Sequence, residues 1–216
     1  MALAFNKTAG KAVKNSHPSY AYKDGENTIR LVGGILPRYV YWLKGTNNKD
    51  IPVECLAFDR EEEKFNNKDV DHVQSYFPEA RCSWSYAANC LTTVDGVPTV
   101  LVLNLKKKMF EQILTAAEDL GDPTDLDTGW DIVFKKAKTG PLPFNVEYTV
   151  NVLRCKKRAL STAEKEAVVN ALGIDAKFPR PTPDDVKATL ERVSKGQTDE
   201  EEAPGTDTEA VADLSA

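Results

Sequence analysis

The strongest local constraint on this chain is Asp95-Gly96, set between two runs of β-branched and apolar residues within positions 81–110. An Asp-Gly pair accepts positive φ at little cost, and two-residue turns of that kind match the twist of paired strands. The stretch therefore predicts a β-hairpin. In its first run Cys82, Trp84 and Tyr86 alternate with Arg81, Ser83 and Ser85. An extended backbone would project Trp84 and Tyr86 from one face. The second run, residues 100–105, leads straight into Lys106, Lys107 and Lys108. Aromatic rings beside a block of ammonium groups fit a flexible polyanion that carries bases. The same residues equally fit a core tryptophan next to a charged helix start.

The rest of the chain reads mostly as strand. Residues 28–32 place Ile29 and Leu31 on one face and Arg30 on the other, and Gly33-Gly34 should break or bend the strand. Residues 38–44 and 51–58 read as two more strands. In 130–138, Ile132, Phe134, Lys136 and Lys138 alternate with Val133, Lys135 and Ala137. A last strand carries Val146, Tyr148, Val150, Val152 and Arg154 on one side. The charged stretch 59–71 reads as a solvated loop or short helix. Helical spacing covers 106–120, with Phe110, Ile113, Leu114 and Ala117 on one face and Gly121 placed to end it. Ser161 with Glu164 forms a capping box for a helix that Gly173 should close. Thr182 followed by Pro183 starts another helix, ending near Gly196.

Five to seven short strands with helices appended at the C-terminus predict a mainly β protein, best matched by the five-stranded Greek-key OB-fold barrel. The expected organisation is a basic arm over residues 1–19, an OB-fold core over 20–160, C-terminal helices over 161–196, and an acidic tail over 197–216. The tail has too little apolar content to fold alone.

Net charge is -5 over 216 residues, but the charge is segregated. Residues 197–216 hold seven acids and no Lys or Arg. Residues 1–44 and 130–160 each hold seven basic residues against two acids, while 45–79 hold nine acids against four bases. A nearly neutral body with basic stretches can bind a polyanion despite an acidic pI. No apolar run reaches the roughly 18 residues a membrane helix needs. The N-terminus lacks a signal-like apolar segment, and Cys55, Cys82, Cys90 and Cys155 are scattered in the manner of reduced thiols. These features point to a cytosolic protein.

Enzymatic chemistry finds little support. There is no phosphate-cradling Gly-rich loop followed by Lys, and His72 has no nucleophile neighbour. The acids of 59–71 form an uninterrupted run interleaved with Lys and Asn, the habit of an exposed segment rather than a metal site. His72, Cys82 and Cys90 lack the close ligand pairs of structural zinc. We therefore expect no enzyme, cofactor or metal. Binding to single strands needs a cationic groove and aromatic faces. Candidate rings are Tyr39, Tyr41, Trp42, Trp84, Tyr86, Trp130, Phe144 and Tyr148, with Trp42 and Trp130 favoured as core. Candidate cations are Arg38, Lys44, Arg81, Lys106, Lys107, Lys135, Lys136 and Lys138.

Ser85-Tyr86-Ala87-Ala88-Asn89-Cys90-Leu91, followed by the Lys106–Lys108 block and helix, resembles the single-stranded DNA-binding protein of T-even phages. Ile29-Arg30-Leu31 looks like that family's Ile-Arg-Phe strand. The stretch from Lys138 through Phe144 to Tyr148 is similar to its late Phe and Tyr segment. The similarity spans about residues 26–155. It implies an OB-fold core with DNA contacts at Arg30, Tyr86, Lys106, Lys107, Phe144 and Tyr148. It also implies cooperative binding beside neighbouring copies, an acidic tail that recruits replication or recombination proteins, and a place in the cytoplasm of an infected host bacterium. The family's His and Cys-x-x-Cys zinc ligands have no counterparts here, which implies a metal-free variant, and the arm lacks a clear match to the family's cooperativity motif. The rival expectation is a protein-interaction or virion-assembly module with a β-barrel core, in which the aromatics are simply core.

Overall fold

A computed structural model describes residues 17–45, 48, 50–142 and 145–196. The acidic tail, most of the basic arm and Phe144 lie outside the described residues. The strands are β1 (Gly25–Leu36), β2 (Tyr39–Lys44), β3 (Asp50–Glu54), β4 (Phe58–Asp59), β5 (Lys64–Phe65), β6 (Cys82–Trp84), β7 (Ala87–Val94), β8 (Val97–Asn104), β9 (Trp130–Lys138), β10 (Val146–Val150) and β11 (Lys156–Lys157). The helices are α1 (Val73–Tyr76), α2 (Lys107–Leu120), α3 (Thr162–Val169), α4 (Ile174–Lys177) and α5 (Pro183–Ser194).

The protein is mainly β, with antiparallel sheets and a few helices. The principal sheet runs β10-β9-β1-β7-β8, and β11 adds to β9. Strand β1 is its spine: residues 25–29 pair with β9, and residues 30–36 pair with β7. The ladder slips between Val32 and Ile35, where Gly33 sits at φ +72°, a left-handed geometry that glycine adopts without strain. The two glycines bend the strand, as expected, without ending it. The Asp95-Gly96 turn joins β7 and β8 with both residues at positive φ and Val94 opposite Val97. That is the geometry the dipeptide selects.

No closed barrel forms among the described residues, and both outer edges of the sheet have other partners. The Gln112 carboxamide of α2 donates to Tyr148 O (3.1 Å) and accepts from Val150 N (2.7 Å), filling the places a strand beside β10 would take. At the opposite edge Tyr20 N donates to Val102 O and Val102 N donates to Pro18 O. Pro18 has no N–H to continue that ladder.

The expected first hairpin strand is divided in two. Strand β6 pairs with β2 in a separate sheet, β3-β2-β6, and the chain then crosses at residues 85–86 into β7. Arg38 secures the crossing: its Nε donates to Ser85 O and its carbonyl accepts from Ser85 N. The 59–71 stretch also departs from expectation. It begins as the β4–β5 hairpin, with Phe58 opposite Phe65. Asp59 organises the turn by accepting from Glu61 N, Glu62 N and Asn66 Nδ2, and these bonds hold its carboxyl well below the usual range.

Two cores result. One packs Ile29, Leu31, Leu103, Trp130, Ile132 and Phe134 under Met109 and Ile113 of α2. The other packs Tyr41, Leu43 and Val53 against Val73, Val186 and Leu190 of α1 and α5. On α2 the inward face is Met109, Ile113 and Ala116, one residue round from the expected stripe, and Leu114 is exposed. The Ser161–Glu164 and Thr182–Asp185 capping boxes are both formed. Gly173 caps the start of α4 instead of ending α3, which stops at Val169. The C-terminal helices are packed into the body: Ile174 joins Leu36, Ala87 and Val102.

Candidate nucleic-acid interface

The crossing at 85–86 brings a set of rings together. Trp84 and Tyr86 stack with centroids 3.5 Å apart and planes 12° from parallel. Around them stand Tyr39, 6.3 Å from Trp84, and Phe110 of α2, 5.7 Å from Trp84. Phe65 lies 5.0 Å from Tyr39, and Phe58 closes the back of the cluster, 6.5 Å from Tyr86. Trp84 Nε1 donates to Leu105 O at 2.9 Å, which fixes the indole against the junction where Lys106, Lys107 and Lys108 begin α2. Phe65 is 52% exposed, and Tyr39, Trp84 and Phe110 are half-buried. The assembly offers an aromatic surface with a lysine block at one side. Such rings can stack bases while the lysines hold phosphates.

Several anticipated contacts instead lie behind this surface. Tyr86 is only 5% exposed, with one face covered by Trp84 and its hydroxyl 3.5 Å from Glu63; burial pushes its pKa up to about 12. A base could meet the Tyr86 ring only if Trp84 moved. Tyr148 is buried against Tyr22, centroids 5.0 Å apart, and Lys106 Nζ lies 5.8 Å from both rings. Lys136 is buried, with Nζ 3.5 Å from Tyr22 O and from Asp24. Tyr41 is buried in the second core and donates to Asp71.

Arg30 departs most from the surface position its strand alternation suggested. It is 1% exposed, because residues 158–168 cover the second face of β1. Its Nη2 donates to Asp125 O (2.7 Å) and Arg158 O (3.1 Å), and its Nη1 lies 3.4 Å from Asp131. Gly129 is pressed between the Asp125 carbonyl and this guanidinium, which leaves no room for a Cβ. Arg38 is also engaged: its guanidinium lies 4.1 Å from the Phe178 ring, and burial lowers its pKa to about 10.

The remaining cations face outward. Arg81, Lys107, Lys108, Lys135 and Lys138 are exposed, and Lys106 is half-buried. Lys44 is exposed and paired with Asp50. Trp130 is fully buried, as expected of a core ring, whereas Trp42 is half-buried on the opposite face of β2 from Tyr39 and Tyr41. Phe144 lies outside the described residues. Sequence reasoning missed Phe65, hidden in a charge run, and Phe110, assigned to the helix core. The signal for the first was two phenylalanines flanking an Asp-led turn. His72, Cys82 and Cys90 are not assembled: among the described residues no three His, Cys, Asp or Glu side chains are grouped to hold a metal ion.

No known protein family matches the chain, and no solved structure matches it. A curated relative, the "Probable ssDNA-binding protein" of Escherichia phage T5, is 27% identical over 162 residues, covering 69% of this chain and 60% of the relative. The chain thus spans less than two thirds of that relative's length.

Proposed function

We propose that this protein binds single-stranded DNA without sequence preference, coating strands in phage replication, recombination and repair. The observation that carries the reading is the half-exposed Trp84, stacked on Tyr86 and bonded to the backbone beside the Lys106–Lys108 block. The name and origin of the phage T5 relative point the same way. Lys106, Lys107, Arg81, Lys135 and Lys138 capture the phosphate backbone, and bases stack on Trp84, Tyr39 and Phe65. Tyr86, Tyr148, Tyr41, Lys136, Arg30 and Arg38 form the scaffold behind them, and Phe144 stays a candidate contact. Binding alone accounts for this surface, so the reading is non-enzymatic and metal-free.

The wider reading follows the T-even resemblance. Neighbouring copies assemble along the strand with residues 1–19 as a basic arm, residues 197–216 recruit replication or recombination proteins, and the work takes place in the cytoplasm of the infected host. The bent β1 with its β7–β8 hairpin is read as an opened relative of the OB barrel within residues 20–160, to which the 161–196 helices are appended.

A fluorescence titration with labelled oligo-dT at two salt concentrations tests the proposal. The expected result is binding at low salt that weakens steeply as salt rises, since neutralising phosphates releases counterions. Absence of salt-sensitive binding would overturn it. The rival reading, a protein-interaction or virion-assembly module, gains one supporting observation in the burial of Tyr86. Removing Tyr86 would destabilise the protein under either reading, so Trp84 and Phe65 are the discriminating positions.

A further inference from the structure

Strand β10 ends in a turn that takes no part in the aromatic surface. A single 3-10 turn, Val152–Arg154, carries the chain from β10 to β11, and it is tightly pinned. Asn151 N donates to Val133 O (2.8 Å), while the Asn151 carbonyl accepts from Arg154 N (2.9 Å) and from the Cys155 thiol (3.4 Å). Cys155 N donates to Val152 O, and the Cys155 side chain is buried in the principal core. On this fixed base Leu153 stands 98% exposed, and Val152 beside it is also exposed. A leucine so placed withdraws almost no apolar area from water, so the fold itself gains nothing from it.

The charge around this apex is of one sign. Residues 151–158 hold Arg154, Lys156, Lys157 and Arg158 and no acid. Arg158 is taken by Asp131 (2.5 Å) and Glu164 (2.8 Å), and Arg154 reaches the Glu26 carboxylate while staying exposed. Lys156 lies opposite Asp131 in the β9–β11 ladder, but that carboxylate is already held by Arg158 and Arg30. The Lys156 and Lys157 side chains are therefore exposed, with no carboxylate partner among the described residues. The turn also continues from the lysine block. Gln112 of α2 bridges Tyr148 O and Val150 N, and Lys106 Nζ lies 5.8 Å from the Tyr148 ring. From Tyr148 to Leu153 the chain spans at most roughly 17 Å. A strand held at Lys106 thus reaches the turn within a few nucleotides.

An apolar apex between cations fits a ligand that joins a hydrophobic face to a polyanion. Residues 149–158 carry no aromatic ring on which a lone base would stack. Leucine side chains pack instead against base pairs, at steps where the stack is broken. We propose that the 151–155 turn, with Lys156 and Lys157, is a second DNA-contacting element that meets the end of a duplex where it opens into single strand. Leu153 packs against the terminal base pair, whose outer face has no stacking neighbour, and Lys156 and Lys157 hold the phosphates beside it. The inference rests on the single-strand reading, since the Trp84 surface holds the strand that leaves the duplex. An anionic bilayer would also attract the lysines, but one leucine and one valine bury too little area for stable anchoring.

The test titrates the full-length protein against three labelled DNAs: a dT oligonucleotide, a hairpin carrying a dT tail of the same length, and the blunt hairpin. The tailed hairpin should bind about tenfold more tightly than the oligonucleotide, as partial burial of one leucine gives, and the blunt hairpin should bind weakest. Leu153→Ser, at a fully exposed position, should abolish the preference and leave oligo-dT affinity unchanged. Replacing Lys156 and Lys157 together by alanine should lower the log–log salt slope on the tailed hairpin by roughly 1.8. Equal wild-type affinity for tailed hairpin and oligonucleotide, or a preference that survives Leu153→Ser, overturns the inference and leaves single-strand binding standing. A wild type that binds none of the three overturns the single-strand reading and this inference with it. Leu153-dependent sedimentation with phosphatidylserine vesicles, without a tailed-hairpin preference, overturns it in favour of a membrane surface.

Discussion

Replacing Arg30 with methionine removes the guanidinium while keeping an unbranched stem inside β1. In the folded protein that guanidinium serves the Asp125 and Arg158 carbonyls and lies 3.4 Å from Asp131, at 1% exposure. Asp131 would keep a partner, since Arg158 Nε donates to its Oδ2 at 2.5 Å. The two carbonyls would not, and each buried acceptor left unsatisfied costs roughly 1–3 kcal/mol. Methionine recovers part of this because the charge no longer needs desolvation, so a net loss of about 3 kcal/mol is expected, near the low end for breaking a buried ion pair. For a domain of this size that lowers Tm by roughly 6–12 °C. Urea unfolding followed by circular dichroism measures the stability, and oligo-dT affinity is read well below the transition. The expected pattern is lost stability with unchanged affinity. Arg30→Lys should fall close to methionine, because one ammonium cannot span the same acceptors. Unchanged stability with weakened DNA binding would refute the reasoning and return Arg30 to the DNA surface.

Trp84→Ala should weaken oligo-dT binding by about 1–3 kcal/mol. It also removes the stack on Tyr86 and the bond to Leu105 O, at a stability cost of roughly 2–4 kcal/mol, so affinity is read well below the unfolding transition, and a still-folded variant with wild-type affinity would remove Trp84 from the site. Phe65→Ala, at a half-exposed ring, should lower affinity with stability nearly unchanged; unaltered titration curves would exclude the β4–β5 hairpin from the surface. If the acidic tail competes for the lysines, deleting residues 197–216 with their seven negative charges should raise affinity at low salt, and the gain should shrink as salt increases; equal or weaker binding counts against tail competition. The Arg158 hydrogen bonds, with help from the Ser161 cap, lower the Glu164 pKa from 4.5 to about 2. A carboxylate held below its unfolded value stabilises the fold above the unfolded pKa and loses that contribution as pH falls through the folded one. The stability difference between wild type and Glu164→Gln, about 1 kcal/mol after screening, should therefore be full above pH 4.5 and vanish towards pH 2; a pH-independent difference would contradict the pairing.

The elements legible in the sequence are those whose cause is local. Asp95-Gly96 sets its own turn, and Ser161 with Glu164, like Thr182 with Asp185, satisfies amides within one helical turn. Elements decided at long range were not legible. Nothing near Ser85 signals that the strand must split; Arg38, 47 residues away, holds the crossing. Gly173 is as good a helix stop as a helix start, and Asn89 Nδ2 takes the Leu172 carbonyl just before it. On α2 the sets 110, 113, 114, 117 and 109, 113, 116 both have helical spacing, so only packing could choose between them.

The same division governs the site. Strand alternation assigns a basic residue to one face or the other, but it counts as surface only where nothing covers that face. Residues 158–168 cover the face bearing Arg30, while the Tyr22 carbonyl and Asp24 engage Lys136, so both leave the contact surface for reasons lying in other elements. The reverse holds for the 59–71 run. Its charges look solvated, yet Asp59 spends its oxygens on backbone and Asn66 donors, and that turn is what brings Phe65 beside Tyr39. Trp84 and Lys106 stand side by side in the candidate surface because the strand-to-helix junction that carries Lys106 is itself bonded to the indole. A variant that weakens this junction should therefore disturb the aromatic and cationic parts of the surface together, whereas independent sites would respond one at a time.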